Sequence, residues 1–329
     1  MKMRILAIIG AASLIFPTAR GAGRTSTPAC VPPPSGLISW WRADGDATDA
    51  SGTNNGQLLG GASFGAGKVS QGFLFNGGTS GVKLPASSTL DVGTGGGFTV
   101  EAWINPQDLS IRGEVVEWNS GSESDPVNWG ISLQMLAPGE LGLGAGNLFA
   151  DIRGVDQLGH RIAAPGGTLT TNIFQHVALT YDKASGVSQM FCNGAIVASN
   201  RFESFTPQST YDCYIGRRPA GLTAHSFLGG IDEVSLYNRA LSPEEIAAIY
   251  TAGSLGKCRT LRLNVVVTQV SVCWPSEMNK NYQLEYRSEA TTNLWTPLGA
   301  LIPGDGTQKC VTDQVQNQTR RFYRVYAVP

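Results

Sequence analysis

From Leu37 to about Ala252 the chain alternates short apolar-patterned runs with glycine-rich turns, and no long helical periodicity interrupts them. A chain with this rhythm has few compact solutions other than a β-sandwich. In Phe98 to Ile104, side-chain alternation puts Phe98, Val100, Ala102 and Ile104 on one face of a strand and Thr99, Glu101 and Trp103 on the other. Gln175 to Tyr181 repeats the pattern, with Val177, Leu179 and Tyr181 opposite His176, Ala178 and Thr180. The runs Gln189–Cys192 and Ala195–Ser199 flank Asn193-Gly194, a pair that tolerates the positive φ angles of a type I′ turn, so a hairpin is predicted there. Composition agrees: 41 of 329 residues are glycine, above the usual ~7%, and 15% are charged, below the usual ~25%.

One helix is predicted, starting at Ser242. Ser242 can cap the amide of Glu245 while Glu245 reaches back, Pro243 suits the first helical position, and Leu241 can staple onto Ile246. Ile246, Ile249 and Tyr250 share a stripe, and Gly253 can end the helix. After Cys258 the pattern restarts. A β-branched stretch from Leu261 to Val272, the alternation Tyr282, Leu284, Tyr286 and a last run near Phe322 to Val328 predict a second, smaller β domain. At about 70 residues it lies near the lower end of independently stable size, so a disulfide would help it.

The first residues carry two positive charges followed by an apolar run, Ile5 to Phe16, that is too short to span a bilayer. This is a signal-peptide pattern, with cleavage expected near Gly21 or Gly23. Residues 1–23 are thus read as signal peptide, 24–36 as leader, 37–258 as the main domain and 259–329 as the small one, in a secreted, cell-surface or periplasmic protein. A net charge of -1 without a Lys/Arg cluster argues against nucleic acid and against an anionic membrane surface. The six cysteines form no CxxC pair, and His160, His176 and His225 lie far from them and from one another, which argues against zinc.

The segments GLISWWRADGDATDASGTNNGQLLGG, GKVSQGFLFNGG, FTVEAWINP, FQHVALTYDKASG, FCNGAIVAS and FLGGIDEVSLYNRALSPEEIAAIY follow one another in an order that resembles the bacterial laminin-G-like jelly rolls of the concanavalin A-like lectin/glucanase superfamily. The resemblance covers about Leu37 to Ala252. It implies an all-β sandwich with one short helix at its C-terminal end. The tail, with YQLEYRSEATTNLWTPLG and RRFYRVYAV, resembles a small module of exported Verrucomicrobia-type proteins and, loosely, a fibronectin-III-like sandwich.

The superfamily includes both lectins and glucan hydrolases, so the site has to decide the function. A retaining hydrolase needs two carboxyls about 5 to 5.5 Å apart. The segment Glu123-Ser124-Asp125-Pro126-Val127-Asn128 lacks the last carboxylate and contains a strand-breaking proline. Glu114 and Glu117, three apart, are expected on opposite faces of a strand, as are the adjacent Asp232 and Glu233. His176 is read as a hydrogen-bonded core histidine. No catalytic residue is assigned. Sugar recognition calls for aromatic faces with a few polar groups, and Trp118, Trp129, Tyr211, Tyr214 and Arg217 are the candidates, each otherwise a packing residue.

The resemblance also implies one structural Ca²⁺. Asp44, Asp46 and Asp232 are its expected ligands, although Asn76, Gly77 and Gly78 stand where related modules often have aspartates. The acidic run Asp44 to Asp49 is not an EF-hand, because Asn55 occupies the bidentate glutamate's place. It is otherwise a set of solvated turn carboxylates.

Three disulfides are expected: Cys30 with Cys258 across the ends of the main domain, Cys192 with Cys213 between neighbouring strands, and Cys273 with Cys310 in the small domain. The sequence therefore predicts a secreted, non-catalytic module that binds polysaccharide or glycoprotein. An adhesion or structural protein is the first alternative, and a glycoside hydrolase the second.

Overall fold

The structure, a computed structural model, describes residues 30–122, 129–219, 225–259, 269–288, 294–315 and 321–328. The chain divides into a larger unit, Arg24–Arg259, and a smaller one that contains Thr260–Pro329. The larger unit begins with Leu37–Trp41 (β1), Gln57–Leu59 (β2), Ser63–Ala66 (β3), Gln71–Asn76 (β4), Gly81–Leu84 (β5) and Gly97–Pro106 (β6). It continues with Gly113–Asn119 (β7), Trp129–Met135 (β8), Leu148–Arg153 (β9), Gly159–Ala164 (β10), Gln175–Asp182 (β11) and Val187–Cys192 (β12). Ala195–Arg201 (β13), Asp212–Ile215 (β14), Arg217–Arg218 (β15), His225–Ser226 (β16), Leu228–Tyr237 (β17) and the helix Pro243–Ala252 (α1) complete it.

Two antiparallel sheets face each other. One has eight strands in the order β13-β12-β11-β6-β17-β4-β3, with β1 also paired to β17; the other has seven, β10-β9-β8-β7-β14-β5-β2. The predicted alternation holds: Phe98, Val100, Ala102 and Ile104 of β6 and Val177, Leu179 and Tyr181 of β11 point into the core. Val115, Val116 and Trp118 of β7, Ile131 and Leu133 of β8, and Leu148, Ala150 and Ile152 of β9 meet them from the opposite sheet. Asn193 and Gly194 adopt φ of 51° and 80° at the tip of the β12–β13 hairpin, as a type I′ turn requires.

Helix α1 begins as predicted. Ser242 accepts from the Glu245 amide, Glu245 accepts from the Ser242 amide, and Pro243 opens the first turn. Ile246 and Ile249 bury against Ala178, Phe191, Tyr237 and Leu241, so the helix covers part of the outer face of the eight-stranded sheet. In the smaller unit, Gln269–Pro275 (β18) pairs with Gln308–Gln314. Asn281–Arg287 forms the middle of a four-stranded sheet with Phe322–Val328 beside it. Trp274, Tyr282, Leu284, Tyr323 and Val325 build that unit's own core. Most of the predicted Leu261 to Val272 strand lies outside the described residues.

Cys30 is bonded to Cys258 and Cys273 to Cys310. The third expected bridge is corrected: Cys192 and Cys213 are free and buried. Cys192 ends β12 in the eight-stranded sheet, whereas Cys213 lies on β14 of the seven-stranded one, so they are not on neighbouring strands. The Cys30–Cys258 bridge closes a separation of 228 residues, and Val31 pairs with Lys257 directly beside it. Replacing both cysteines by serine is expected to lower the stability of the larger unit by about 2–5 kcal/mol, read from denaturant melts of the intact chain.

Candidate functional site

Strands β7, β8 and β9 carry polar residues on the face turned away from the core, and two irregularities decide which ones. Glu114 opposes Gln134 while Val116 opposes Leu133, so β7 contains one extra residue, Val115. Val115 and Val116 both enter the core, and Glu114 and Glu117 therefore emerge on the same outer face. This overturns the expected opposition of the two glutamates. Further along, Glu117 opposes Ser132 and Asn119 opposes Trp129, two steps on β7 against three on β8. This second bulge turns Trp129 to the side of Ser132 and Gln134.

The result is a buried polar relay under a cavity. Gln134 Nε2 donates to Ser132 Oγ at 2.9 Å, and Ser132 Oγ donates to Glu114 Oε1 at 2.8 Å. Arg218 grips Glu117, its Nε donating at 2.9 and 3.1 Å to the two carboxylate oxygens and its Nη2 pairing with Oε2. Its Nη2 also lies 3.7 Å from Glu114 Oε2. Asn119 Nδ2 donates to Glu117 Oε1 at 2.7 Å. Both glutamates are fully buried, and burial pushes their carboxyls up, to about 7 and about 8; the nearby Glu114 charge adds to this at Glu117. One guanidinium cannot neutralise two carboxylates, so these values belong to the pair.

Above this relay lies a cavity of about 420 Å³, walled by Trp129, Phe149, Leu136 and Arg218 and rimmed by Arg112 with Glu140 and by Arg161 with Asp151. The Arg112 and Glu140 side chains pair in two-point contact. Arg161 Nε stands 3.3 Å from Asp151 Oδ2. The guanidinium carbons of Arg153 and Arg218 lie 4.4 and 5.0 Å from the Trp129 ring centroid. Gln134 Oε1, Asp151 Oδ1 and Trp129 Nε1 are buried and have no hydrogen-bond partner among the described residues. Buried polar atoms are almost always satisfied in folded proteins, so three unpaired ones on residues that line one cavity are unusual.

Of the five predicted sugar-contacting residues, only Trp129 lines this cavity. Trp118 is in the core, where its Nε1 donates to Leu90 O at 3.2 Å. Tyr211 packs against the core from the side, and Tyr214 is buried. Arg217 donates to Thr79 O at 2.6 Å. Its neighbour Arg218 lines the cavity instead. Phe149, Asp151 and Gln134 were legible as outward positions of alternating strands, but nothing in the sequence told that this stretch of sheet would be hollow. The Glu123 to Asn128 segment lies outside the described residues.

The outer face of the eight-stranded sheet is organised differently. Glu101 accepts from Lys257 Nζ at 2.9 Å and lies 2.9 Å from His176 Nε2, while Glu233 accepts from Trp40 Nε1 at 3.0 Å. His176 is thus the hydrogen-bonded core residue expected of it. Burial would raise the Glu101 carboxyl, but the Lys257 charge and the His176 ring outweigh it and hold it at about 2. A register shift in β17 between Asp232 and Ser235, with Glu233 at φ 57°, puts Asp232 and Glu233 between the inward Ile231 and Val234. The expected opposition of this pair is corrected by the same means as in β7.

The three expected calcium ligands do not converge. Asp44 Oδ2 is paired with Arg42 and Arg259, each at 2.7 Å, and Asp46 Oδ1 accepts from the Thr48 amide and hydroxyl. Asp232 Oδ2 accepts from the Val69 amide at 2.9 Å. Among the described residues no group of three or more His, Cys, Asp or Glu side chains is placed to hold a metal ion.

Two facing antiparallel sheets of eight and seven strands, closed by a capped helix, define a jelly roll of the concanavalin A-like class. The family model of the concanavalin A-like lectin/glucanases superfamily matches residues 76–247, and the chain belongs to that family. No curated protein sequence matches it. Among solved structures, it is similar to domain 4 of AbnA, a GH43 extracellular arabinanase from Geobacillus stearothermophilus in complex with arabinotriose. The TM-score is 0.48 at 23% identity, over 64% of this chain and 96% of that one. It is also similar to the Ruminococcus gnavus IT-sialidase CBM40 bound to alpha2,3 sialyllactose, with TM-score 0.46 and 19% identity over 54% and 96% of the two chains. The binding domain of botulinum neurotoxin serotype G gives TM-score 0.48 and 13% identity over 75% and 56%.

Burial, first, and then the Glu233 charge push the Asp232 carboxyl up to about 8. The native state therefore keeps this proton to a higher pH than the unfolded chain, whose aspartates titrate near 4. Its contribution to stability must fall as pH rises from about 4 to about 8 and then level off. Asp232→Asn is expected to remove that fall while its amide oxygen keeps the Val69 bond. Its melting temperature should overtake that of the unaltered protein as pH rises, by about 2–4 °C for each kcal/mol recovered. Thermal melts from pH 4 to 9 check this.

Proposed function

We propose that the protein is an exported, non-catalytic recognition protein that binds a saccharide, free or on a glycoprotein, in the cavity of the seven-stranded sheet. The observation that carries this is the set of three unpaired buried polar atoms, Gln134 Oε1, Asp151 Oδ1 and Trp129 Nε1, around one cavity beside Phe149 and Leu136. A saccharide hydroxyl donates and accepts at once, so adjacent hydroxyls match two acceptors and one donor. The ring's C–H face matches Phe149 and Leu136. Arginine charges at the rim are already paired with Glu140 and Asp151, which favours a neutral sugar over an acidic one. Against catalysis, Glu114 and Glu117 are sealed from solvent, one held by Ser132 and the other by Arg218. The smaller unit serves as a spacer or docking element. Two disulfides and the N-terminal charge-then-apolar pattern support export into an oxidising compartment.

A glycan array probed with the full chain is expected to give signal on neutral oligosaccharides. Gln134→Ala should weaken that signal about 10-fold or more, the scale of a lost buried hydrogen bond. Tyr211→Phe, away from the cavity, should leave it unchanged. A blank array, with capture of a protein partner instead, would replace this reading with adhesion.

A further inference from the structure

Among the described residues, the two carboxyls of the relay share one guanidinium, which is also part of the cavity wall. Arg218 is almost fully buried, grips Glu117, stops 3.7 Å short of Glu114 Oε2 and stacks 5.0 Å from the Trp129 centroid. We propose that Glu114 and Glu117 form a proton-operated control on the binding cavity: one shared proton lets Arg218 stay with Glu117 against Trp129, and losing it draws the guanidinium between two carboxylates and away from the indole. Affinity for a ligand in the cavity then falls as pH rises.

The groups that face the pair come from every neighbouring element. Strand β8 offers only the uncharged Ser132 and Gln134. Asp151 of β9 interacts with Arg218 from the other side, and Arg112, just before β7, reaches Glu114 electrostatically. Strand β14 brings Tyr214, directly opposite Glu117 in register, with Asp212 and the buried Cys213 thiol beside it. His225 Nε2 of β16 lies 3.4 Å from Glu114 Oε2. Apart from Arg218 and His225, none of these touches a glutamate oxygen as a cation. A second negative charge on the pair therefore pulls on Arg218 or on His225. Arg218's two-point contact favours a charge on Glu117, and among the described residues no hydrogen bond is made to Glu114 Oε2, so the pair has room there for one shared proton. Both carboxyls are pushed up into the neutral range, which supports a proton held there at ordinary pH.

Only the effect on affinity rests on the saccharide reading; the movement of Arg218 does not, and it is measured without a ligand. The Trp129 indole N–H resonance of the full chain, assigned by its loss in Trp129→Phe, is followed from pH 6 to 9. A shift with a midpoint in that range is expected, absent in Glu114→Gln and in Glu117→Gln, each of which leaves one carboxylate for Arg218. It should persist in His225→Asn. A resonance that does not titrate, a transition that survives in both glutamine variants, or one that disappears only in His225→Asn overturns the proposal. If the array yields a saccharide, its affinity should drop at least threefold between pH 6 and 9, and Glu114→Gln should flatten that profile. If the array is blank while the indole still titrates, the saccharide reading fails and the control stands.

Discussion

Between the two sheets, apolar side chains such as Phe73, Val100, Trp118 and Leu179 interdigitate without room for a charge. The carboxylates of β6, β7 and β17 are therefore displaced to an outer face, and alternation decides which one. A strict period of two would isolate each carboxylate. The two departures from it, Val115 in β7 and Glu233 in β17, are what bring carboxylates together, at Glu114 with Glu117 and at Asp232 with Glu233. A single inserted residue converts a core-building strand into one that also builds a polar cluster on its far side.

The two outer faces treat these clusters differently. On the eight-stranded sheet, α1 lies over Ala178, Phe191 and Tyr237, and Lys257 supplies a cation between Glu101 and Glu233. That face is filled, and its charges are matched closely enough to hold Glu101 strongly acidic. On the seven-stranded sheet no α-helix among the described residues lies over Gln134, Phe149 and Asp151, and Arg218 is shared between two glutamates. The filled face is structural. The open one keeps a hollow whose lining residues carry polar atoms that no described residue satisfies.

Much of the sandwich was legible because its signals are local. The alternation in β6 and β11, the Asn193-Gly194 turn and the Ser242 capping box each depend on fewer than ten consecutive residues, and each matches the structure. The site was legible only in part. Trp129 was named for its aromatic ring, but its neighbours in the cavity come from four strands and two loops, and no local pattern shows that they converge. The bulges escaped for a related reason: Glu-Val-Val-Glu reads equally well as a regular strand, and only pairing with β8 shows which valine is extra. Cys192 and Cys213 were paired as residues of neighbouring strands, a reading blind to the fact that the two strands belong to different sheets.

The Cys30–Cys258 bridge, with Cα atoms 4.8 Å apart, has a mechanical consequence. The chain enters and leaves the larger unit at almost one point. Tension applied to the polypeptide on either side passes from one cysteine to the other through a covalent bond and does not load the hydrogen-bonded ladders between them. The sandwich hangs from the chain as a closed loop. Shear or stretching that would unzip β1 from β17 in an unbridged module leaves this one at rest, with the hollow of the seven-stranded sheet undistorted.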